Sequence, residues 1–184
     1  VIIGAILTQN TAWPNVEKAI KNLKKAKLLD VKMILKKRKE IARLIRPAGY
    51  YNVKARRLLN CMSYLDENYQ GEIKRMERLP TGRLRRELLA INGIGPETAD
   101  SILLYALNRP VFVVDAYTRR FLLRHNIIKE DASYDEIQDF FIKSLKSEVK
   151  VFNEFHALIV RLGKTYCLKN EPLCSDCPLN FLGR

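Results

Sequence analysis

The stretch Leu88-Leu89-Ala90-Ile91-Asn92-Gly93-Ile94-Gly95-Pro96-Glu97-Thr98-Ala99-Asp100 decides the architecture. It joins an apolar helix end to a Gly-Ile-Gly turn, then to a proline in the first turn of a second apolar helix carrying Ala99, Ile102, Leu103 and Ala106. Two glycines around one aliphatic residue let the backbone reverse sharply. Ile94 then packs between the helices, and peptide N–H groups turn outward beside the next helix N-terminus. Such a turn hydrogen-bonds a phosphate oxygen without reading a base. Alone, Gly-x-Gly marks only a tight turn; the flanking helices and Pro96 make this one a helix–hairpin–helix.

Helical periodicity extends outward in both directions. Pro14 opens a helix carrying Val16, Ala19, Ile20 and Leu23, with Gln9-Asn10-Thr11 as its cap. Pro47 and Gly49 close a segment with Ile41, Leu44 and Ile45 on one face. A longer helix from about Asn52 to Tyr69 buries Val53, Leu58, Met62 and Leu65, and Thr81 caps the next one, which runs to Ala90. Helices follow near 116–124, 134–147 and 150–166. The one β-branched run, Val111 to Val114, is too short and isolated for a sheet. The fold class is therefore all-α.

The chain has 184 residues, 47% of them hydrophobic and 29% charged, enough for one large or two small packed domains and unlike a disordered chain. No apolar run reaches the roughly 18 residues of a membrane span, and no signal segment is visible. The chain opens at Val1 inside an apolar segment without an initiating Met, which reads as the middle of a helix. The net charge is +13, concentrated in residues 1–60, where 15 basic side chains face Glu17, Asp30 and Glu40. A face this basic attracts a polyanion, nucleic acid first. A solvated surface, or lysine enrichment in a hot-growing organism, is the plainer alternative, so the charge alone only leans toward DNA or RNA. Three of four cysteines crowd into the last 18 residues, while Cys61 stands alone, a pattern of an intracellular protein with ligating thiols rather than a disulfide framework.

Eighteen residues beyond Glu97, Asp115 ends the apolar run Val111-Phe112-Val113-Val114 and opens a helix. On its own it is an N-cap. Paired with a phosphate-gripping turn, it is a carboxylate that can stabilise the oxocarbenium-like state of N-glycosidic cleavage. The hairpin, the Val-Asp at this spacing and the opening Leu7-Thr8-Gln9-Asn10-Thr11 together resemble the endonuclease III-like helix-hairpin-helix (HhH-GPD) DNA glycosylases, from Val1 to about Pro178. The resemblance implies two helical domains, residues 1–109 and 110–184, with the active cleft between them and an N-terminal helix ahead of Val1. It implies damaged duplex DNA as the partner, a monomer without membrane attachment, and a base flipped out for cleavage. It makes Asp115 the catalytic group and places DNA contacts at Asn92, Gly93, Ile94, Gly95 and Thr98. Gln9 fills the gap left by the flipped nucleotide, although a capping or solvent-facing amide is the ordinary alternative. Arg119, Arg120 and Arg124 on the helix after Asp115, and Lys54, Arg56 and Arg57 on the long helix, are candidates for further phosphate contacts; a solvated helix face is the alternative.

Bifunctional members carry a nucleophilic lysine where this chain has Glu97. A carboxylate forms no imine, so strand nicking should be weak or absent. Arg46-Pro47-Ala48-Gly49-Tyr50-Tyr51-Asn52-Val53-Lys54-Ala55, Val114-Asp115-Ala116-Tyr117 and Glu97 look closest to the endonuclease III-related 3-methyladenine glycosylases. That branch implies a base pocket with aromatic faces, for which Trp13 and Tyr117 are the candidates, core packing being the alternative for each. Cys167-x6-Cys174-x2-Cys177 matches three ligands of the family's [4Fe-4S] loop, but the fourth position is Gly183. A cluster with one foreign ligand, a lost cluster, or a zinc site recruiting His156 are the alternatives; His156 itself reads as a core histidine. Two further functions stay open on the sequence: a bifunctional glycosylase/lyase for oxidised pyrimidines, and a hairpin module that binds DNA without catalysis. A generic basic metal-binding protein leaves the hairpin unexplained.

Overall fold

A computed structural model describes residues 1–182. Ten α-helices and short 3-10 turns make up the regular structure, with no strand among the described residues. None of these helices is long and apolar enough to cross a membrane. Cα proximity divides the chain into two compact units, Val1–Leu107 and Asn108 onward.

The first unit holds α1 (Ile2–Leu7), α2 (Trp13–Lys25), α3 (Val31–Lys36), α4 (Arg38–Leu44), α5 (Tyr51–Tyr69), α6 (Thr81–Leu89) and α7 (Pro96–Leu107). Helix α2 buries Val16, Ala19 and Leu23 and leaves Lys18, Lys21, Lys24 and Lys25 in solvent, as its periodicity requires. Its cap differs from expectation. The N-cap is Ala12 with no side-chain bond, and Thr11 turns away to donate from Oγ1 to the Ala48 carbonyl at 2.6 Å. Thr81 likewise lies inside the first turn of α6, and Pro80 holds the cap position. Asp30 does cap α3, accepting from the Met33 N–H at 3.1 Å.

Helix α5 is the axis of this unit, against which α1, α3 and α4 pack. Leu58 and Leu65 on it are buried, each contributing about 1.5–3 kcal/mol. Val53, expected in the core, is 37% exposed, while Lys54 one position on is buried at 2%. Helices α6 and α7 form the hairpin and are tied on both sides. Glu87 of α6 accepts from the hydroxyls of Tyr64 and Tyr69 on α5 and from Arg83 Nε. Arg85 of α6 makes a two-pronged pair, 2.8 and 3.2 Å, with the fully buried Asp100 of α7. The hairpin is thus fixed before any ligand arrives.

The second unit holds α8 (Ala116–Arg124), α9 (Tyr134–Ser144) and α10 (Val149–Thr165). Ser133 starts α9 with a capping box, its Oγ accepting from the Glu136 N–H while Glu136 Oε2 accepts from the Ser133 N–H. Residues 111–114 are buried and, without a strand partner, irregular. Side chains of α9 take the partner's place: Gln138 donates to the Phe112 carbonyl at 2.6 Å, and the Val114 N–H donates to the Tyr134 hydroxyl at 3.3 Å. Phe112 stacks on Phe141 at 3.9 Å and meets Phe152 edge-on at 5.6 Å. This aromatic core anchors the residues that lead into Asp115.

Candidate functional site

The two hairpin glycines have different environments. Gly93 has φ +96°, a conformation L side chains avoid, and an added Cβ would sit 2.2 Å from Arg57 Cγ. Gly95 is open: nothing lies within 4 Å of where its Cβ would be. Ile94 is buried between the helices, as its place in the motif requires. Asn92 is exposed, and its carbonyl accepts from Asn60 Nδ2 at 3.1 Å. Helix α5 therefore braces the inner side of the turn, and Gly95, Pro96 and Glu97 form its outer, exposed side. Thr98, grouped with the hairpin contacts, is buried, and its hydroxyl faces Gln9 rather than solvent. Glu97 stands in the first turn of α7, where a carboxylate is favoured by the helix dipole.

Gln9 is folded onto this turn. Its Nε2 donates to the Gly93 carbonyl at 3.0 Å and to Thr98 Oγ1 at 2.9 Å, and its Oε1 accepts from Arg57 Nη1 at 2.5 Å. Lys54 is not a phosphate contact. Its ammonium is buried and donates to the Leu7 carbonyl at 2.7 Å, the Ala48 carbonyl at 2.8 Å and Thr11 Oγ1 at 2.6 Å. Burial, with the charge of Arg57, lowers its pKa to about 8. It fastens both ends of the 8–12 segment to α5 and thereby fixes the backbone that carries Gln9. Trp13, 46% exposed, donates from Nε1 to Glu17 at 2.6 Å. Its ring remains an accessible aromatic face.

In the second unit Asp115 is the N-cap of α8. Its Oδ1 accepts from the Thr118 N–H at 2.8 Å and the Thr118 hydroxyl at 2.9 Å. Its Oδ2 lies 3.4 Å from Nε2 of His156 on α10, the two side chains being 13% and 11% exposed. Burial works to raise the Asp115 pKa, but the His156 imidazole and the two Thr118 donors outweigh it, holding the carboxyl below its ordinary range. The carboxylate is thus ionised at neutral pH with one oxygen fixed by Thr118. Capping and chemistry are compatible here, since the cap bonds use one oxygen and leave the other beside His156. From the sequence, His156 reads as a core residue, with recruitment to a zinc site as the alternative. Its spacing from Phe152, Ile159 and Gly163 places it on the buried face of α10, but its partner lies 41 positions away.

Of the remaining candidates on α8, Arg120 and Arg124 face the cysteine loop. Tyr117 packs so closely on α10 that a Cβ on Gly163 would meet its Cδ1 at 2.4 Å. The Arg120 guanidinium lies over the Tyr117 ring at 5.0 Å and donates to the carbonyls of Cys167 and Gly163 at 2.8 and 3.0 Å. Arg124 donates to the Leu168 and Lys169 carbonyls and, at 3.2 Å, to Cys167 Sγ. These two arginines brace the loop; Arg119 lies half-buried on the same helix. All four cysteines are free thiols. Cys167, Cys174 and Cys177 line one cavity of about 140 Å³ with Arg124 and His125. Among the described residues no three His, Cys, Asp or Glu side chains converge closely enough to hold a metal ion. Three thiols do not complete a four-cysteine cluster site, and position 183 lies outside the described residues. His156 faces Asp115 and is not a fourth ligand.

The open glycine at the start of α7 and the ionised carboxylate at the start of α8 are the features on which the resemblance to the helix-hairpin-helix DNA glycosylases rests. Residues 3–147 match the HhH-GPD superfamily of base excision DNA repair proteins, and the chain belongs to that family. It is 52% identical over 182 residues to a candidate DNA repair glycosylase of Methanocaldococcus jannaschii, covering 97% of this chain and 82% of the relative. The fold is similar to that of Helicobacter pylori 3-methyladenine DNA glycosylase bound to 1,N6-ethenoadenine, with TM-score 0.79, 32% identity, and coverage of 91% and 85% of the two chains. It is also similar to endonuclease III in a trapped covalent DNA intermediate, with TM-score 0.84, 26% identity, and coverage of 98% and 80%. The protein is an endonuclease III-like DNA glycosylase of base excision repair.

Proposed function

We propose that the protein is a monofunctional glycosylase that removes alkylated purines of the 3-methyladenine type, cutting the base–sugar bond with water and leaving the strand intact. The observation that carries this reading is Asp115, a nearly buried carboxylate kept ionised by Thr118 and His156. N3-alkylated adenine is cationic, so it departs with the bonding electron pair as a neutral base and needs no strong acid. Positive charge passes to C1′ of the sugar, where a fixed carboxylate stabilises it. Water adds to C1′, and its proton passes to Asp115 and then to solvent. The outer side of the hairpin holds the DNA backbone, Gln9 fills the place of the extruded nucleotide, and Trp13 and Tyr117 supply aromatic faces. Glu97 at the lysine position supports hydrolysis over imine chemistry. The Helicobacter pylori neighbour, a 3-methyladenine glycosylase by name, supports the alkylpurine class. A monomer suffices for each of these steps.

The test is a panel of duplexes carrying single lesions, with base release and strand nicking scored separately. Release of alkylated purines without nicking is expected, and Asp115→Asn should abolish it while duplex binding persists. Efficient borohydride trapping, or release of oxidised pyrimidines only, would overturn the assignment.

A further inference from the structure

Gln9 cannot enter a duplex from the position described above without giving up its bonds. Both N–H donors of its amide and its oxygen are engaged, to Gly93, Thr98 and Arg57. The last partner differs in kind from the other two. Gly93 and Thr98 offer neutral acceptors inside the hairpin, whereas Arg57 brings a full charge and spends one guanidinium N–H on a neutral amide. Its aliphatic stem lies against Gly93, in the space a Cβ would fill. The turn that would receive a DNA phosphate therefore has this guanidinium beside it. A phosphate is a stronger partner for arginine than an amide oxygen, because the hydrogen bonds become ionic at both ends and two of them can form in parallel.

We propose that Arg57 is a backbone-binding residue that couples the hairpin to Gln9: in the free protein it holds Gln9 folded onto the turn, and on DNA it passes to a phosphate and releases Gln9 to enter the duplex. The coupling rests on the role given to Gln9 under the proposed function. It makes insertion conditional on backbone contact, so that the amide stays folded away until the hairpin is seated.

The experiment uses the whole chain, a duplex with a stable abasic-site analogue, and 2-aminopurine opposite that site as a fluorescent report of side-chain insertion. Two variants separate stem from charge: Arg57→Met keeps an aliphatic stem over Gly93, and Arg57→Lys keeps the cation. In the wild type, the Gln9 side-chain amide resonances should shift when the duplex is added, together with a rise in 2-aminopurine emission. Arg57→Met should move the Gln9 resonances toward those of a solvated amide before DNA is added. Its plot of log binding constant against log salt should be shallower by about 0.9, the worth of one phosphate contact. Arg57→Lys should retain the wild-type slope. Gln9→Ala should lose the emission change and keep the slope. An unchanged slope in Arg57→Met, or Gln9 resonances that stay put when the wild type binds DNA, overturns the proposal. Should Gln9 move as expected while no alkylated base is released, the glycosylase specificity falls and the coupling stands.

Discussion

Replacing Gly93 and Gly95 by alanine, one at a time, distinguishes a glycine that shapes the fold from one that leaves room for a ligand. At Gly93 two penalties combine. The φ of +96° costs an L-residue about 1–2 kcal/mol. The new Cβ would also lie 2.2 Å from Cγ, 2.8 Å from Cδ and 3.0 Å from Cβ of Arg57. A change of χ1 would clear Cγ and Cδ only by giving up the bond of Arg57 to Gln9, and the Cβ contact is relieved only if α5 or the turn shifts. Overpacking of this kind costs about 1–3 kcal/mol. Gly93→Ala should therefore lose about 2–5 kcal/mol, roughly 4–20 °C in melting temperature for a chain of this size. In an Arg57→Ala background the Cγ and Cδ clashes disappear, and the backbone part, about 1–2 kcal/mol, remains with the milder 3.0 Å contact to the Cβ that alanine keeps. Gly95→Ala meets nothing and should change stability by less than about 0.5 kcal/mol. It should nonetheless weaken duplex binding, because its methyl group would stand where a phosphate approaches. Thermal and urea unfolding of the four members of the Gly93/Arg57 cycle, with duplex affinity for Gly95→Ala, provide the measurement. Equal costs at the two glycines, or a Gly93→Ala cost untouched by Arg57→Ala, would refute this division of roles.

Asp115→Asn keeps a good capping side chain and removes only the charge. Because folding lowers the Asp115 pKa, its ionised form contributes stability that is fully present above the ordinary aspartate range and is lost as pH falls through the lowered folded value. The difference in unfolding free energy between wild type and variant should shrink accordingly between about pH 5 and the acid limit; a difference constant with pH would show that His156 and Thr118 do not favour the charged form. Lys54→Met takes its donor from the buried Leu7 carbonyl and leaves the Ala48 carbonyl with Thr11 alone, and should cost about 1–3 kcal/mol in urea unfolding. Gly163→Ala should displace Tyr117 and the arginine above it, at a cost of about 1–3 kcal/mol, and slow base release in single-turnover assays. Unchanged kinetics would remove Tyr117 from the base pocket proposed above.

The elements that can be read from the chain are those whose information is local. Helices α2, α5 and α10 repeat their apolar positions over three turns or more, and the hairpin is spelled out in consecutive residues. Helices α1 and α3 are too short to establish a period, α4 shows only as the apolar face of Ile41, Leu44 and Ile45, and the cap of α2 differs from its sequence reading because Thr11 bonds to Ala48, 37 positions away. The run at 111–114 is satisfied by side chains of α9, an arrangement no strand pattern can announce. The site divides the same way. The helix starts at Glu97 and Asp115 are legible in the sequence, and the roles given to them come from the family resemblance, whereas the partners of Gln9 and Asp115 come from distant helices.

Two ionisable residues did leave a signal. Lys54 stands four and seven positions before Leu58 and Cys61, and His156 four and seven after and before Phe152 and Gly163. Each sits on the apolar face of its helix, and an ionisable group at such a position requires a buried partner. The pattern states that a partner exists without stating which. What the partner turns out to be then separates fold from chemistry. Lys54 is met by two carbonyls and a hydroxyl, neutral groups that gain nothing from being reactive, and its work is to hold the 8–12 segment against α5. His156 is met by a carboxylate that a cap alone does not need to keep charged, because an asparagine would serve the helix as well. An imidazole placed to hold that charge is what the hydrolysis proposed at Asp115 requires, and the stability of α8 does not require it.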